Sequence, residues 1–298
     1  EALVSQWFDL DKLLSTEFEG LQTKSFSAQQ VNRAHYNQAV TFIDHLIKND
    51  LPMTEMVKSK LMPHNNVTLE SYEVNNRNLG SNMTLLDMSD QAHLSGGILS
   101  SAGLWSTIHG SIGFHIFQRG FWVYEELLCN PHQGPPSGAL LGDNEADNSE
   151  TMAEEIINHA KRGACASCHF EADPFGVALE HFSSFGRYRT SYGNGDKFNY
   201  DTKIEGVPVT TVPQMSNFIA SNKSDQLNYC ATKNIISLLR GRTLRAETFT
   251  QDRKADAKVK NCYTLQHYDS TVDNNNIGLK TLIINSIKNN PSLISDIF

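Results

Sequence analysis

The five residues Cys165-Ala166-Ser167-Cys168-His169 constrain this chain more than any other stretch. Two thiols three positions apart, followed at once by an imidazole, form the attachment sequence of a c-type haem. Each thiol can form a thioether to one vinyl group of the porphyrin, and the next residue then lies under the iron. The expectation is one covalently attached haem c, held by Cys165 and Cys168, with His169 as the proximal iron ligand.

Three other readings compete. A thioredoxin-like dithiol wants an α/β pattern, with a strand before the cysteines. Here the preceding stretch, Thr151 to Arg162, has helical periodicity, with Thr151 and Glu154 as a capping box. A zinc site wants a second Cys or His pair at similar spacing, and the chain has none. The last alternative is a plain disulfide, or two buried cysteines beside a surface histidine.

Composition bears on compartment and partners. The 298 residues suggest about two domains, and 39% hydrophobic with 19% charged residues is an ordinary globular balance. The net charge of −8 argues against nucleic acid or an anionic membrane as the main partner. No apolar run is long enough for a transmembrane helix, and Glu1 opens directly into an amphipathic segment without a signal peptide. The chain therefore reads as a mature or trimmed piece of a larger polypeptide, or as one working beside a second subunit. Bacterial covalent haem attachment is completed outside the cytoplasm, so the motif implies a periplasmic, extracellular or cell-surface protein. The other cysteines, Cys129, Cys230 and Cys262, suit an oxidising compartment and allow one disulfide. Cys230–Cys262 is favoured because both lie in the C-terminal helical region, and Cys129–Cys230 is the rival.

The pattern along the chain is mainly α, in three regions. Residues 1–94 form an N-terminal helical region plus linker. Val4, Trp7, Phe8, Leu10 and Leu14 make its first apolar face, and Ser27 caps a long second helix. A short helix is expected from Thr54 to Met62, followed by an extended linker with a short strand or two. Residues 95–222 form the haem domain. In it Ile98 to Ile116 reads as irregular, Gly120 to Cys129 as helical, Asn130 to Asn148 as a loop, and Gly176 to Phe185 as a short helix. Gly193-Asn194-Gly195 marks a turn, and Pro213 opens another helix. Residues 223–298 form a C-terminal helical region, with helices at Asp225 to Arg240, Ala246 to Tyr268, Gly278 to Lys288 and Pro291 to Ile297.

Several stretches carry a family resemblance. Gly97-Ile98-Leu99-Ser100 leads to Thr107-Ile108-His109, and Arg119-Gly120-Phe121-Trp122-Val123 to Glu126-Leu127-Leu128-Cys129 and a Pro-rich loop. The haem motif is followed by Asp173-Pro174-Phe175-Gly176, Leu179-Glu180-His181-Phe182 and Phe185-Gly186-Arg187-Tyr188-Arg189. Cys230 then precedes Leu238-Leu239-Arg240-Gly241-Arg242. In this order, from about Leu94 onward, the chain resembles the C-terminal part of large exported bacterial proteins, first noted in planctomycetes, that carry a cytochrome-c-like haem domain. The resemblance implies an exported haem protein and no particular reaction. Ala172 stands where the family usually has Met, and Gly110 to Phe117 is rewritten and contains His115.

The sixth iron ligand sets the chemistry. A His or Met gives a low-spin electron-transfer site, and an open position permits ligand binding. His109 matches a family histidine and is the first candidate, Met215 is the alternative, and His115 is a local substitute. Arg187, Tyr188 and Arg189 are the expected donors to the haem propionates, ahead of Arg119 and Trp122. The second ring nitrogen of His169 should donate to a carbonyl, which the Asp173-Pro174 segment is close enough in sequence to supply, whereas the plainer reading of Asp173-Pro174-Phe175-Gly176 is simply a turn that packs on the haem face. The reading is a mono-haem c-type cytochrome that transfers electrons to or from a redox partner protein or second subunit. A haem enzyme with an open distal site, peroxidase- or oxygenase-like, is the alternative. A binding or assembly module with an auxiliary haem is the third reading.

Overall fold

A computed structural model describes residues 2–15, 21–74, 77–108, 115–130, 166–183, 185–191, 198, 201–239 and 276–289. The expected helices at 151–162, 246–268 and 291–297, the Pro-rich loop, the Gly193–Gly195 turn, and His109, Cys165 and Cys262 lie outside these residues.

The architecture is mainly helical, as the periodicity predicts. Helix α1 (Ala2–Phe8) runs into a 3-10 turn, Leu10–Leu14. Helix α2 (Ala28–Lys48) begins at Ser27, whose side chain accepts from the Gln30 amide while the Gln30 side chain accepts from the Ser27 amide. Two otherwise unsatisfied N–H groups are thereby paired. Its inner face buries Val31, Ala39, Phe42, Ile43 and Leu46. Helix α3 is shorter than expected, Glu55–Lys58, because the chain turns at Ser59 into strand β1 (Leu61–His64). The presumed linker holds helix α4 (Asn66–Ser71), closed by an Asn65–Thr68 capping box, and strand β2 (Thr84–Asp87). The two strands pair antiparallel, from Leu61 opposite Asp87 to His64 opposite Thr84.

Beneath this hairpin lies a buried polar network. Gln38 Nε2 donates to the Pro63 carbonyl at 2.8 Å, the Tyr72 hydroxyl donates to the Ser100 carbonyl at 3.0 Å, and Ser71 Oγ lies 2.9 Å from His35 Nε2. Both His35 and His64 present their rings to Tyr72 edge-on, each at 5.4 Å. Burial pushes the His35 pKa down to about 4 and that of His64 to about 3, so both rings are neutral at physiological pH.

The segment expected to be irregular is instead a 3-10 turn, Gly97–Ser100, and helix α5 (Ala102–Thr107), both buried along their length. Helix α6 (His115–Phe121) passes directly into a π-helical turn, Trp122–Leu127. The chain's three tryptophans meet here, with Phe8 between Trp7 and Trp122 and Trp105 set edge-on to Trp122 at 5.6 Å. The indole N–H groups are satisfied by backbone carbonyls, Trp7 by Glu126 and Trp105 by Leu99. Trp105 is thus a core residue.

Helix α7 (Ala166–Ala178) begins within the Cys165 to His169 pentapeptide and carries Cys168 and His169 in its first turn. A small hairpin, β3 (Lys203–Ile204) and β4 (Val207–Pro208), precedes α8 (Val212–Asn222) and α9 (Ser224–Leu239). Helix α10 (Leu279–Lys288) returns to the end of α2. The Asp50 carboxylate accepts from the Thr281 amide at 2.8 Å and hydroxyl at 2.5 Å, capping α10 from across the chain. One hydrophobic cluster extends from Val4 to Leu282. Among the described residues no helix is long and apolar enough to cross a membrane.

The disulfide corrects the favoured pairing. Cys230 bonds to Cys129, with the two Cα atoms 5.2 Å apart. Cys129 takes a left-handed backbone (φ 52°) at the end of the π turn, which packs against α9. Cys230 lies on the buried face of that helix, and Gln226, one turn earlier, donates to the Asn130 side chain at 2.8 Å. Shared membership of a C-terminal region was the wrong criterion; the buried face of α9 looks toward the π turn.

Candidate haem-attachment helix

Helices α6 and α7 cross antiparallel at very close range, and glycine makes the crossing possible. A Cβ on Gly120 would lie 2.5 Å from the Ala172 carbonyl oxygen, and one on Gly176 only 2.0 Å from that of Ile116. No side chain fits at either point, so backbone rests on backbone. The crossing places the i, i+4 pair Phe117 and Phe121 of α6 against His169 of α7. Both phenyl rings meet the imidazole edge-to-face, Phe117 at 5.0 Å and Phe121 at 5.3 Å.

The expected turn at Asp173-Pro174 is absent. Helix α7 continues through both residues, with Pro174 inside it. Proline removes the intrahelical bond to the carbonyl of Phe170, a residue that is 72% exposed. Continuity of the helix puts Asp173 one turn beyond His169. His169 Nδ1 lies 3.0 Å from both carboxylate oxygens of Asp173, so the partner this segment supplies is a side-chain carboxylate. Asp173 is 1% exposed. Burial raises its pKa, and the bond to His169 pulls it partly back. The carboxylate was within reach of the sequence, since i, i+4 spacing on a helix predicts the contact once Pro174 is allowed inside.

A carboxylate-held imidazole of this kind would suit a haem iron. With Nδ1–H donated to Asp173, Nε2 is the nitrogen that would face an iron if haem were attached. The His169 side chain is partly open, at 22% exposure, and the next residue offers an exposed phenyl ring. Cys168 precedes it in the first turn of α7. Among the described residues no group of three or more His, Cys, Asp or Glu side chains could hold a bare metal ion.

The other expected site residues are dispersed. Met215 is fully buried on α8, in the hydrophobic cluster with Phe218, whose ring stands 6.5 Å from Phe175 of α7. His115 opens α6. Arg187 pairs with Glu73 at 3.3 Å in an exposed ion pair. Arg189 pairs with the buried Glu180 and also donates to its carbonyl at 3.0 Å. Tyr188 is stacked between His93, at 4.0 Å, and His181, at 5.5 Å.

Arg119, a secondary propionate candidate by sequence, has a different place. It is fully buried, and its guanidinium donates to the carbonyls of Trp105, Phe182 and Ser183 at 3.0, 2.5 and 2.6 Å. The latter two belong to the chain leaving α7. Burial pulls its pKa down, and the nearby Glu180 carboxylate raises it in part. Arg119 therefore ties α5 and α6 to the end of the motif-bearing helix.

Residues 95–192, about a third of the chain, match a family model described as PSCyt3, a protein of unknown function (DUF1588). The description carries a cytochrome-like name and assigns no activity. No curated protein matches the chain, and no solved structure does.

Proposed function

We propose that the chain is an exported mono-haem c-type cytochrome that transfers electrons, with haem c attached at Cys165 and Cys168 and His169 as the proximal ligand. The observation that carries this reading is the seat of His169. Its imidazole is held by the Asp173 carboxylate on one nitrogen and packed in T-shaped contact with the rings of Phe117 and Phe121. A surface histidine has no need of such restraint. The cytochrome-like family match over residues 95–192 points the same way.

When bound, the haem supplies one-electron chemistry. The chain's part would be to hold the imidazole, exclude competing orientations and offer a second ligand to the iron. His109 is the proposed sixth ligand, with Met215 the alternative and His115 the local substitute. Among the three expected propionate donors, Arg187 is the best placed to exchange partners, because an exposed ion pair such as Arg187–Glu73 contributes little. The partner is a redox protein or second subunit, met in the periplasm or at the cell surface.

Absorption spectra of the purified protein, oxidised and reduced, with and without carbon monoxide, test the reading. A low-spin haem spectrum that carbon monoxide leaves unchanged is the expected result. Rapid carbon monoxide binding would replace electron transfer with an open-site haem enzyme. Absence of any haem band would return Cys165 and Cys168 to a dithiol role.

A further inference from the structure

Asp173 is an expensive residue to bury. Among the described residues its carboxylate hydrogen-bonds to His169 alone, with no lysine or arginine beside it. An isolated buried carboxylate is strongly disfavoured unless it is paired. A backbone carbonyl would fix the tautomer and the ring plane equally well, without placing a charge in the interior. The two phenyl rings of α6, in T-shaped contact with the imidazole, also restrain its orientation. The carboxylate therefore contributes something beyond geometry. A carboxylate acceptor on Nδ1 draws the shared proton away from the ring and makes Nε2 a stronger donor. A stronger donor favours the more highly charged ferric ion over the ferrous one.

Resting on the haem reading above, we propose that Asp173 is a positioning residue that makes His169 a strongly donating ligand and keeps the reduction potential of the iron low. The placement on one continuous helix makes the device rigid, because His169 and Asp173 are separated by one turn of α7. The chain thus fits the role of a low-potential carrier, which accepts an electron from a strongly reducing one-electron donor and passes it on readily.

Redox titration of the full chain, followed by haem absorption, tests this. D173N keeps an oxygen acceptor and removes the charge. It should retain haem and shift the oxidised-to-reduced equilibrium toward the reduced form by about tenfold, equivalent to ~59 mV for one electron. D173E, which keeps the charge, should stay near the wild type, and D173S serves should D173N fail to fold. E171Q removes the exposed carboxylate two residues earlier and should leave the potential in place. A haem-loaded D173N with the wild-type potential overturns the proposal, as does an equal shift in E171Q. A wild-type protein without haem overturns the functional reading itself, an outcome visible before any titration.

Discussion

Arg119 illustrates how one residue can organise a site without facing it. Its guanidinium is planar and delivers several N–H groups in a fixed fork, which suits four carbonyls (Trp105, Leu179, Phe182 and Ser183) converging from two segments. Replacing it by Met would leave buried carbonyls without donors. The expected loss in unfolding free energy for Arg119→Met is on the order of 3 kcal/mol, read from urea denaturation. Arg119→Lys keeps the charge but offers a single nitrogen, so it should recover only part of the loss. Equal stability of R119M and wild type would show that the carbonyls find other partners.

Between elements, the decisive contact is the glycine-mediated crossing of α6 and α7. Gly176→Ala would drive a methyl group to 2.0 Å from the Ile116 carbonyl oxygen, so the helices must separate. The expected cost is about 1–3 kcal/mol, with a lower melting temperature by calorimetry. Separation would also withdraw Phe117 and Phe121 from His169, so the haem spectrum of a loaded G176A should broaden or change spin state. The disulfide is the second long link, joining the π turn to α9 across a sequence separation of 101. In the loop-entropy picture its removal in C129S/C230S should lower stability by about 2–5 kcal/mol. A reductant should produce the same fall in the wild type, measured as the shift in denaturation midpoint.

For the whole molecule, the buried histidine pair sets the response to acid. His35 and His64 have pKa values of about 4 and about 3 in the folded chain, against 6.5 when exposed. In the unfolded chain both take up protons as pH falls through 6.5, while in the folded chain they do not. Their contribution is therefore fully present above pH 6.5 and is lost as pH falls from there toward 4 and 3. At pH 5 the loss is about 2 kcal/mol for each. Denaturation series at pH 7.5 and pH 5 should show the difference, and H35Q/H64Q should flatten it. Because the pair sits beneath the β1–β2 hairpin, the hairpin should be the first region to lose hydrogen-exchange protection in acid.

What the sequence determined by itself is local. Capping at Ser27, the apolar period of α2 and α9, and the mainly helical composition all depend on residues a few positions apart. The chemistry of the Cys165 to His169 pentapeptide is local too, and its reading rests on the sequence. Tertiary structure decided the rest, because the partners are distant and a linear pattern cannot rank them. Cys230 had two possible partners, and only the packing of α9 on the π turn selected Cys129. Pro174 looked like a turn by its own chemistry. The helix runs through it because Gly176, two residues on, lets α7 pack on α6, and that continuity delivers a carboxylate to His169. By sequence Arg119 is a secondary propionate donor, and its burial became visible only once Trp105, Phe182 and Ser183 converged on it. A helix can be read from interactions within one or two turns, whereas a buried charge or a close crossing is defined by what folds against it.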